Sequence, residues 1–203
     1  MDMRSNQLLS GPILERIRGI EGWLDEDEAD LLIAGLENAI RQLPEQAVVE
    51  VGSYCGRSTI VLASVVQALG ANCRVYAIDP HKGQVGALDT GLLQGAPTLQ
   101  RFLKNIELAG LSNDVEVLCQ YSYEVNWSSS IAFILIDGLH DYANVSRDFL
   151  HFEHWISNGG FIAFHDYGND FPGVKAYVDQ LLSSSHYFKV GYVRNMILLR
   201  KDA

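Results

Sequence analysis

Val48-Val49-Glu50-Val51-Gly52-Ser53-Tyr54-Cys55-Gly56-Arg57-Ser58-Thr59 decides how the rest of the chain is read. An apolar run ends in an acid, a Gly-x-x-x-Gly turn follows, and Ser58-Thr59 opens a second apolar stretch from Ile60 to Leu69. The pattern predicts strand, glycine turn, helix. Glycines at Gly52 and Gly56 let the backbone pass close to a ligand, and the helix start offers unpaired N–H groups. Asp79 closes the next apolar run, Arg74 to Ile78, 23 residues after Gly56. An acid at that place in a first βαβ unit bonds ribose hydroxyls, so the segment is built to hold a nucleoside.

Outward from this segment the chain alternates. Strands are expected at Ala47–Val51, Arg74–Ile78, Val115–Cys119, Ile131–Ile136 and Gly160–His165, with helices between them at Arg57–Leu69, Thr98–Ala109 and Ala143–Ile156. Alternation of this kind, with strands reading as continuous apolar runs, predicts an α/β fold: a doubly wound, Rossmann-like sheet with helices on both faces. A helix from about Val174 to Leu182 follows. Tyr187–Val193 and Met196–Arg200, joined at Arg194-Asn195, predict a closing hairpin and one antiparallel strand in a seven-stranded sheet. Upstream, Ile13–Ile20 and Asp25–Leu43 read as helices; the second has acids in its first turn and Pro44 as its stop. His81 to Gly95, with four glycines, reads as a flexible loop or as a flap over the ligand.

Length and composition set the bounds. With 203 residues, one domain is expected: N-terminal helices over 1–45 and a binding core over 46–203. A net charge of −10 argues against nucleic acid or an anionic membrane as partner. Cys55, Cys73 and Cys119 are few and odd in number, which reads as reduced thiols in a cytoplasmic chain. Met1 to Ser10 lacks the apolar core of a signal peptide, and no run approaches the roughly 20 residues of a membrane span.

Glu50-Val51-Gly52-x-x-x-Gly56-x-Ser58, Asp79 and the terminal hairpin resemble the class I S-adenosylmethionine-dependent methyltransferases. A dinucleotide-binding unit would place glycine where this chain has Tyr54. Ile136-Asp137-Gly138-Leu139-His140-Asp141-Tyr142, with Asp148 and Asn158 to Tyr167, resembles the group that includes macrolide-sugar O-methyltransferases, catechol-type relatives and cephalosporin-hydroxylase-like proteins. The resemblance implies that the Gly52–Gly56 turn, Ser53 included, wraps the methionine part of S-adenosylmethionine, with Glu50 close by. Ser58 and Thr59 would meet its carboxylate, Asp79 the ribose, Tyr121 and Ser122 the adenine. It further implies a divalent metal, magnesium or manganese, on Asp137, His165 and Asp166, and a general base at His140 working beside Asp137. Metal-dependent relatives commonly carry an acid or amide where His165 stands, and imidazole is a poor partner for magnesium.

The function expected is therefore transfer of a methyl group to a hydroxyl of a small molecule, a sugar or secondary metabolite. Two alternatives stay open. The steps His140-Asp141 and His165-Asp166 could build a non-heme metal oxidoreductase, and the fold could hold S-adenosylmethionine without turnover. His151 and His154 read as surface residues, Tyr142, Phe149, Phe152 and Trp155 as core aromatics, and Asp148 as a residue that pins a loop. His81 and Lys82 could touch the acceptor. A homo-oligomer remains open because Asp25–Leu43 could pack on its own sheet or on a second subunit.

Overall fold

A computed structural model describes residues 10–87 and 91–202; the Met1–Leu9 part of the N-terminal reading lies outside them. Helices α1 (Gly11–Ile17) and α2 (Glu26–Gln42) precede β1 (Ala47–Val51), α3 (Arg57–Leu69) and β2 (Val75–Ile78). Then come β3 (Gln84–Ala87), β4 (Gly91–Gln94), α4 (Leu99–Leu108), β5 (Val115–Leu118) and β6 (Ile131–Ile136). The chain closes with α5 (Tyr142–Glu153), β7 (Ile156–Phe164), α6 (Pro172–Ser183), β8 (Tyr187–Val193) and β9 (Met196–Lys201).

Seven strands form one sheet in the order β5-β2-β1-β6-β7-β9-β8. The pairs β5-β2, β2-β1, β1-β6 and β6-β7 are parallel, and β9 alone runs against its neighbours, as the hairpin predicts. The chain leaves β1 toward β5 on one side and returns through β6 on the other. That reversal opens a crevice at the carboxyl ends of β1 and β6, the place where doubly wound sheets bind ligands.

The central strands are apolar on both faces because both are covered. All six residues of Ile131–Ile136 are buried. Val48, Phe133 and Leu135 face a core shared with α1 to α4, while Val49, Ile134 and Ile136 face one shared with α5 and α6. In α2 the buried residues Ala29, Leu32, Ile33, Leu36, Ala39 and Ile40 recur at helical spacing. Gly35 lets that helix lie close on β9, since a Cβ there would sit 2.7 Å from Leu198. Arg57 ties the α1–α2 linker down: its guanidinium donates to the backbone carbonyls of Ile17, Ile20 and Leu24.

Three local expectations change. His81 to Gly95 is not a plain loop: Gln84–Ala87 pairs antiparallel with Gly91–Gln94, making a two-stranded ribbon outside the main sheet. The helix expected to reach Ile156 stops at Glu153, and Ile156 instead opens β7. Ile131 pairs with Ile156 but Phe133 with Phe161, so the chain around Gly159-Gly160 bulges out of the ladder. Tyr142 is not core: it is 42% exposed and its hydroxyl donates to Gln180. No helix among the described residues is long and apolar enough to cross a membrane. All three cysteines are free thiols.

Candidate functional site

A cavity of about 550 Å³ lies over the carboxyl ends of β1, β2 and β6. Its floor is the turn after β1. Gly52 has φ +91°, and a Cβ there would sit 1.9 Å from the carbonyl oxygen of Asp137. Glycine is therefore required twice, for the dihedral and for the close pass of β1 against β6. Tyr54 (φ 44°) and Asp166 (φ 60°), which line the cavity, hold the same left-handed region, as does His81 (φ 52°) next to Pro80. Strained backbone of this kind gathers at functional sites.

Beneath the turn Glu50 is fully buried, and Thr59 Oγ1 donates to its Oε2. Burial pushes the Glu50 carboxyl up to about 8, against the pull of the Ser58 and Thr59 hydroxyls. Its Oε1 and the Ser53 hydroxyl are buried and without partners among the described residues. Ser53 and Ser58 line the cavity. Asp79 accepts from the Tyr54 backbone N–H at 2.8 Å and from that of His81 at 2.6 Å. Those two bonds fix the carboxylate and leave lone pairs for a ligand.

Tyr121 and Ser122 form the opposite wall. Tyr121 stacks on Tyr123 and donates to Gln84 of the ribbon, while Lys82 lies over its ring. Ser122 donates to Asp148, a buried carboxyl that burial pushes up to about 6. Asp148 thus pins the segment after β5 to α5. Val85 and Leu93 of the ribbon, with Trp23 from the α1–α2 linker, complete an apolar rim. His81 turns away from that rim: its Nδ1 meets Thr98 at 2.8 Å, and burial lowers its pKa. His151 is occupied as well, on the carbonyl of Val125.

The third wall is a cluster of charge. Asp137 and His165-Asp166 follow β6 and β7, and His140 follows Asp137 in the loop to α5. His140 Nε2 lies 2.9 Å from Asp166 Oδ2, and Phe171 packs against the ring edge-on. His140 Nδ1 is buried without a partner among the described residues. His165 sits deeper. Its Nδ1 is 3.2 Å from Asp137 and 3.1 Å from Asp166, and its Nε2 is 3.3 Å from Glu28 of α2. Glu28 is buried too, and its oxygens also accept the backbone N–H groups of Asp25 and Asn195.

Burial works against the His165 cation, but Asp137, Asp166 and Glu28 outweigh it and raise its pKa far above the ordinary histidine value. His140 is raised in the same way, burial opposing and Asp166 prevailing. Burial raises Asp137, against the pull of His165. It would also raise Asp166, yet the two histidines hold that carboxyl well below the usual range.

Asp137, His140 and Asp166 each offer one ligand atom, all within 4.8 Å of one another. His165 turns Nδ1 to Asp137 and Asp166 and gives Nε2 to Glu28, and a histidine that binds a metal commonly holds a carboxylate on its other nitrogen in this way. Asp137, His165 and Asp166, the set expected from the sequence, could therefore hold a divalent ion, as could Asp137, His140 and Asp166.

Of the cofactor residues read from the sequence, Gly52, Ser53, Ser58, Asp79, Tyr121, Ser122 and Asp137 line one crevice, Glu50 and Thr59 bond to each other beneath its turn, and Gly56 faces Phe102 and Ile106 instead. Sequence reasoning missed Glu28, Trp23 and Phe171, while Val85 and Leu93 fall in the His81–Gly95 segment that it read as a loop or as a flap over the ligand. Glu28 reads only as a first-turn acid in a capping box with Asp25, and nothing local signals its burial against His165, 137 positions away.

The family model described as a methyltransferase domain matches residues 49–167, more than half of the chain. Among solved structures, the O-methyltransferase NovP superposes with a TM-score of 0.75 at 15% identity, over 90% of this chain and 84% of its own. TomG from Streptomyces achromogenes, an O-methyltransferase involved in tomaymycin synthesis and solved in complex with SAM, gives 0.63 at 11% identity, over 97% and 92%. The SAH-bound methyltransferase PaMTH1 of Podospora anserina gives 0.65 at 10% identity, over 96% and 89%. At such identities the likeness to the solved structures is one of fold, while the match over residues 49–167 carries the family: the chain belongs to the methyltransferase domain family and has the class I S-adenosylmethionine-dependent methyltransferase fold.

Proposed function

We propose that the protein transfers a methyl group from S-adenosylmethionine to a hydroxyl of a small molecule, with His140 as the base. One observation carries this reading. His140 lines the cavity that also holds the Gly52 turn and Asp79, with Nε2 2.9 Å from Asp166 and its buried Nδ1 without a partner among the described residues.

The cofactor fits the residues present. The turn at Gly52 leaves no room for a side chain, and the Ser53 hydroxyl and Glu50 Oε1 lack partners among the described residues. Gly52, Ser53 and Gly56 would pass along its methionine part, with Glu50, Ser58 and Thr59 beneath. Asp79 would take the ribose, Tyr121 and Ser122 the adenine, and Asp137 would lie toward the cationic centre. When bound, the cofactor supplies an electrophilic methyl group on a sulfonium.

The chain's own residues then handle the proton. An alcohol is a poor nucleophile until its proton leaves. With the Nε2 proton held toward Asp166, the lone pair of the neutral ring lies on Nδ1, which takes the hydroxyl proton. Asp166 then steadies the imidazolium and fixes the ring, as a carboxylate does behind a catalytic histidine. Trp23, Val85 and Leu93 at the rim exclude water and receive the acceptor. The whole chain acts as one unit, because the N-terminal helices supply Trp23 and Glu28 to the site.

The acceptor is small: a net charge of −10 disfavours a nucleic-acid strand, and the NovP and TomG folds serve O-methyltransferases. The test is His140→Ala, assayed for methyl transfer to a panel of phenols and sugars and for S-adenosylhomocysteine affinity. We expect methyl transfer to fall at least about a hundredfold while affinity stays within about twofold. Full-rate transfer by His140→Ala would sink the base assignment.

A further inference from the structure

We propose that the acceptor is an uncharged phenol, one that carries no carboxylate or phosphate, and that Trp23 selects it at the mouth of the cavity. The inference rests on the methyltransferase reading of the cavity, names the class of acceptor, and is tested apart from that reading.

The mouth is apolar where it meets solvent. Trp23 is 64% exposed and Leu93 63%, and both line the cavity together with Val85. Large apolar side chains left bare at the edge of a pocket mark surface that a ligand covers. Trp23 leans on Tyr54, with ring centroids 5.1 Å apart, and the Tyr54 hydroxyl donates to Glu21 at 2.6 Å. The indole is braced by that ring, and what stays bare is a flat apolar surface suited to another ring. Phe171 packs edge-on against His140, with centroids 4.5 Å apart, and both line the same cavity. Apolar surface is therefore present at the rim and again beside the base.

The lining offers an anion no ready partner. Glu21 and Asp25 flank Trp23 in the linker, and among the described residues the only arginines or lysines lining the cavity are Arg57 and Arg147. Arg57 donates to the carbonyls of Ile17, Ile20 and Leu24, while Arg147 lies over Tyr123 and donates to Asn144. Just outside the lining, Arg101 pairs with Glu21 and Lys82 lies over Tyr121. A carboxylate or phosphate entering here would give up water and meet acids. A sugar ring fares poorly for another reason, since it needs several donors and acceptors. Asn144, an amide of the lining, is spent on Asp141 and Arg147. A phenol needs only a flat apolar wall and a base for its one hydroxyl.

The experiment loads the full chain with S-adenosylhomocysteine in EDTA and titrates it calorimetrically with methyl p-coumarate, p-coumarate and methyl α-rhamnoside. EDTA leaves the comparison to the chain's own residues. We expect the ester to bind at least about tenfold tighter than the carboxylate or the rhamnoside. Trp23→Ala should weaken the ester about tenfold, whereas Trp23→Phe, which keeps a ring, should stay within about threefold of the wild type. Thermal melting followed by circular dichroism checks that both variants fold; if Trp23→Ala does not, the comparison of probes on the wild type decides. Carboxylate or rhamnoside binding as tight as that of the ester would overturn the proposal. So would no binding of the ester, or ester affinity untouched in a folded Trp23→Ala chain. Failure to bind S-adenosylhomocysteine would instead count against the methyltransferase reading, and the same probes on the unloaded chain would still report on the mouth.

Discussion

At the scale of single residues the site depends on groups that burial or neighbouring charges have moved from their ordinary values. Glu50 is the clearest case, fully buried with its carboxyl pushed up to about 8. Below pH 4.5 the folded and unfolded chains both hold this proton. Between 4.5 and 8 the unfolded chain releases it and the folded chain keeps it, so the contribution to stability falls as pH rises through that window. Above 8 the full cost of the buried charge is present. Glu50→Gln removes the titration while keeping the shape. We expect the variant to gain on the wild type by up to about 1.4 kcal/mol for each pH unit in the window. Urea unfolding of both chains at pH 5, 6, 7 and 8 checks this, and curves that stay parallel would contradict it.

At the scale of elements, legibility followed from how local each signal was. The strands at Ala47–Val51, Ile131–Ile136 and Tyr187–Val193 carry the bounds expected from sequence, because a strand covered on both faces must be apolar throughout and Arg194-Asn195 marks its own turn. The ribbon of Gln84–Ala87 and Gly91–Gln94 was illegible, because its pairing is made by backbone groups, which every residue carries whatever its side chain. The start of β7 was hidden by Asn158-Gly159-Gly160, which reads as a breaker and in fact forms a bulge inside a strand. The site split the same way. Gly52, Asp79 and Asp137 announce themselves at strand ends, whereas Glu28 reaches the site only through its contact with His165 in the folded chain. Arg57 belongs here too, since one side chain at the start of α3 holds the linker that carries Trp23. Arg57→Ala takes the guanidinium away from the carbonyls of Ile20 and Leu24, and leaves that of Ile17 with the Ile20 N–H alone, which should cost about 2–3 kcal/mol. The melting temperature should then drop by roughly 4–12 °C for a chain of this size. An unchanged melting temperature would show that the linker is held by something else.

Across the whole molecule, one crevice is assembled from three sources. The switch between β1 and β6 supplies the cofactor turn and Asp137, β7 and the loop to α5 supply the histidine cluster, and the N-terminal helices with the ribbon close the top. The central claim is that this crevice holds S-adenosylmethionine at the Gly52 turn and Asp79, with His140 reserved for the chemistry. The most direct measurement is calorimetric titration of the wild type, Asp79→Ala and His140→Ala with S-adenosylmethionine. The account expects wild-type binding, a loss of about tenfold or more in Asp79→Ala from the missing carboxylate bonds, and affinity within about twofold in His140→Ala. No binding by the wild type, or equal affinity in Asp79→Ala, would contradict it.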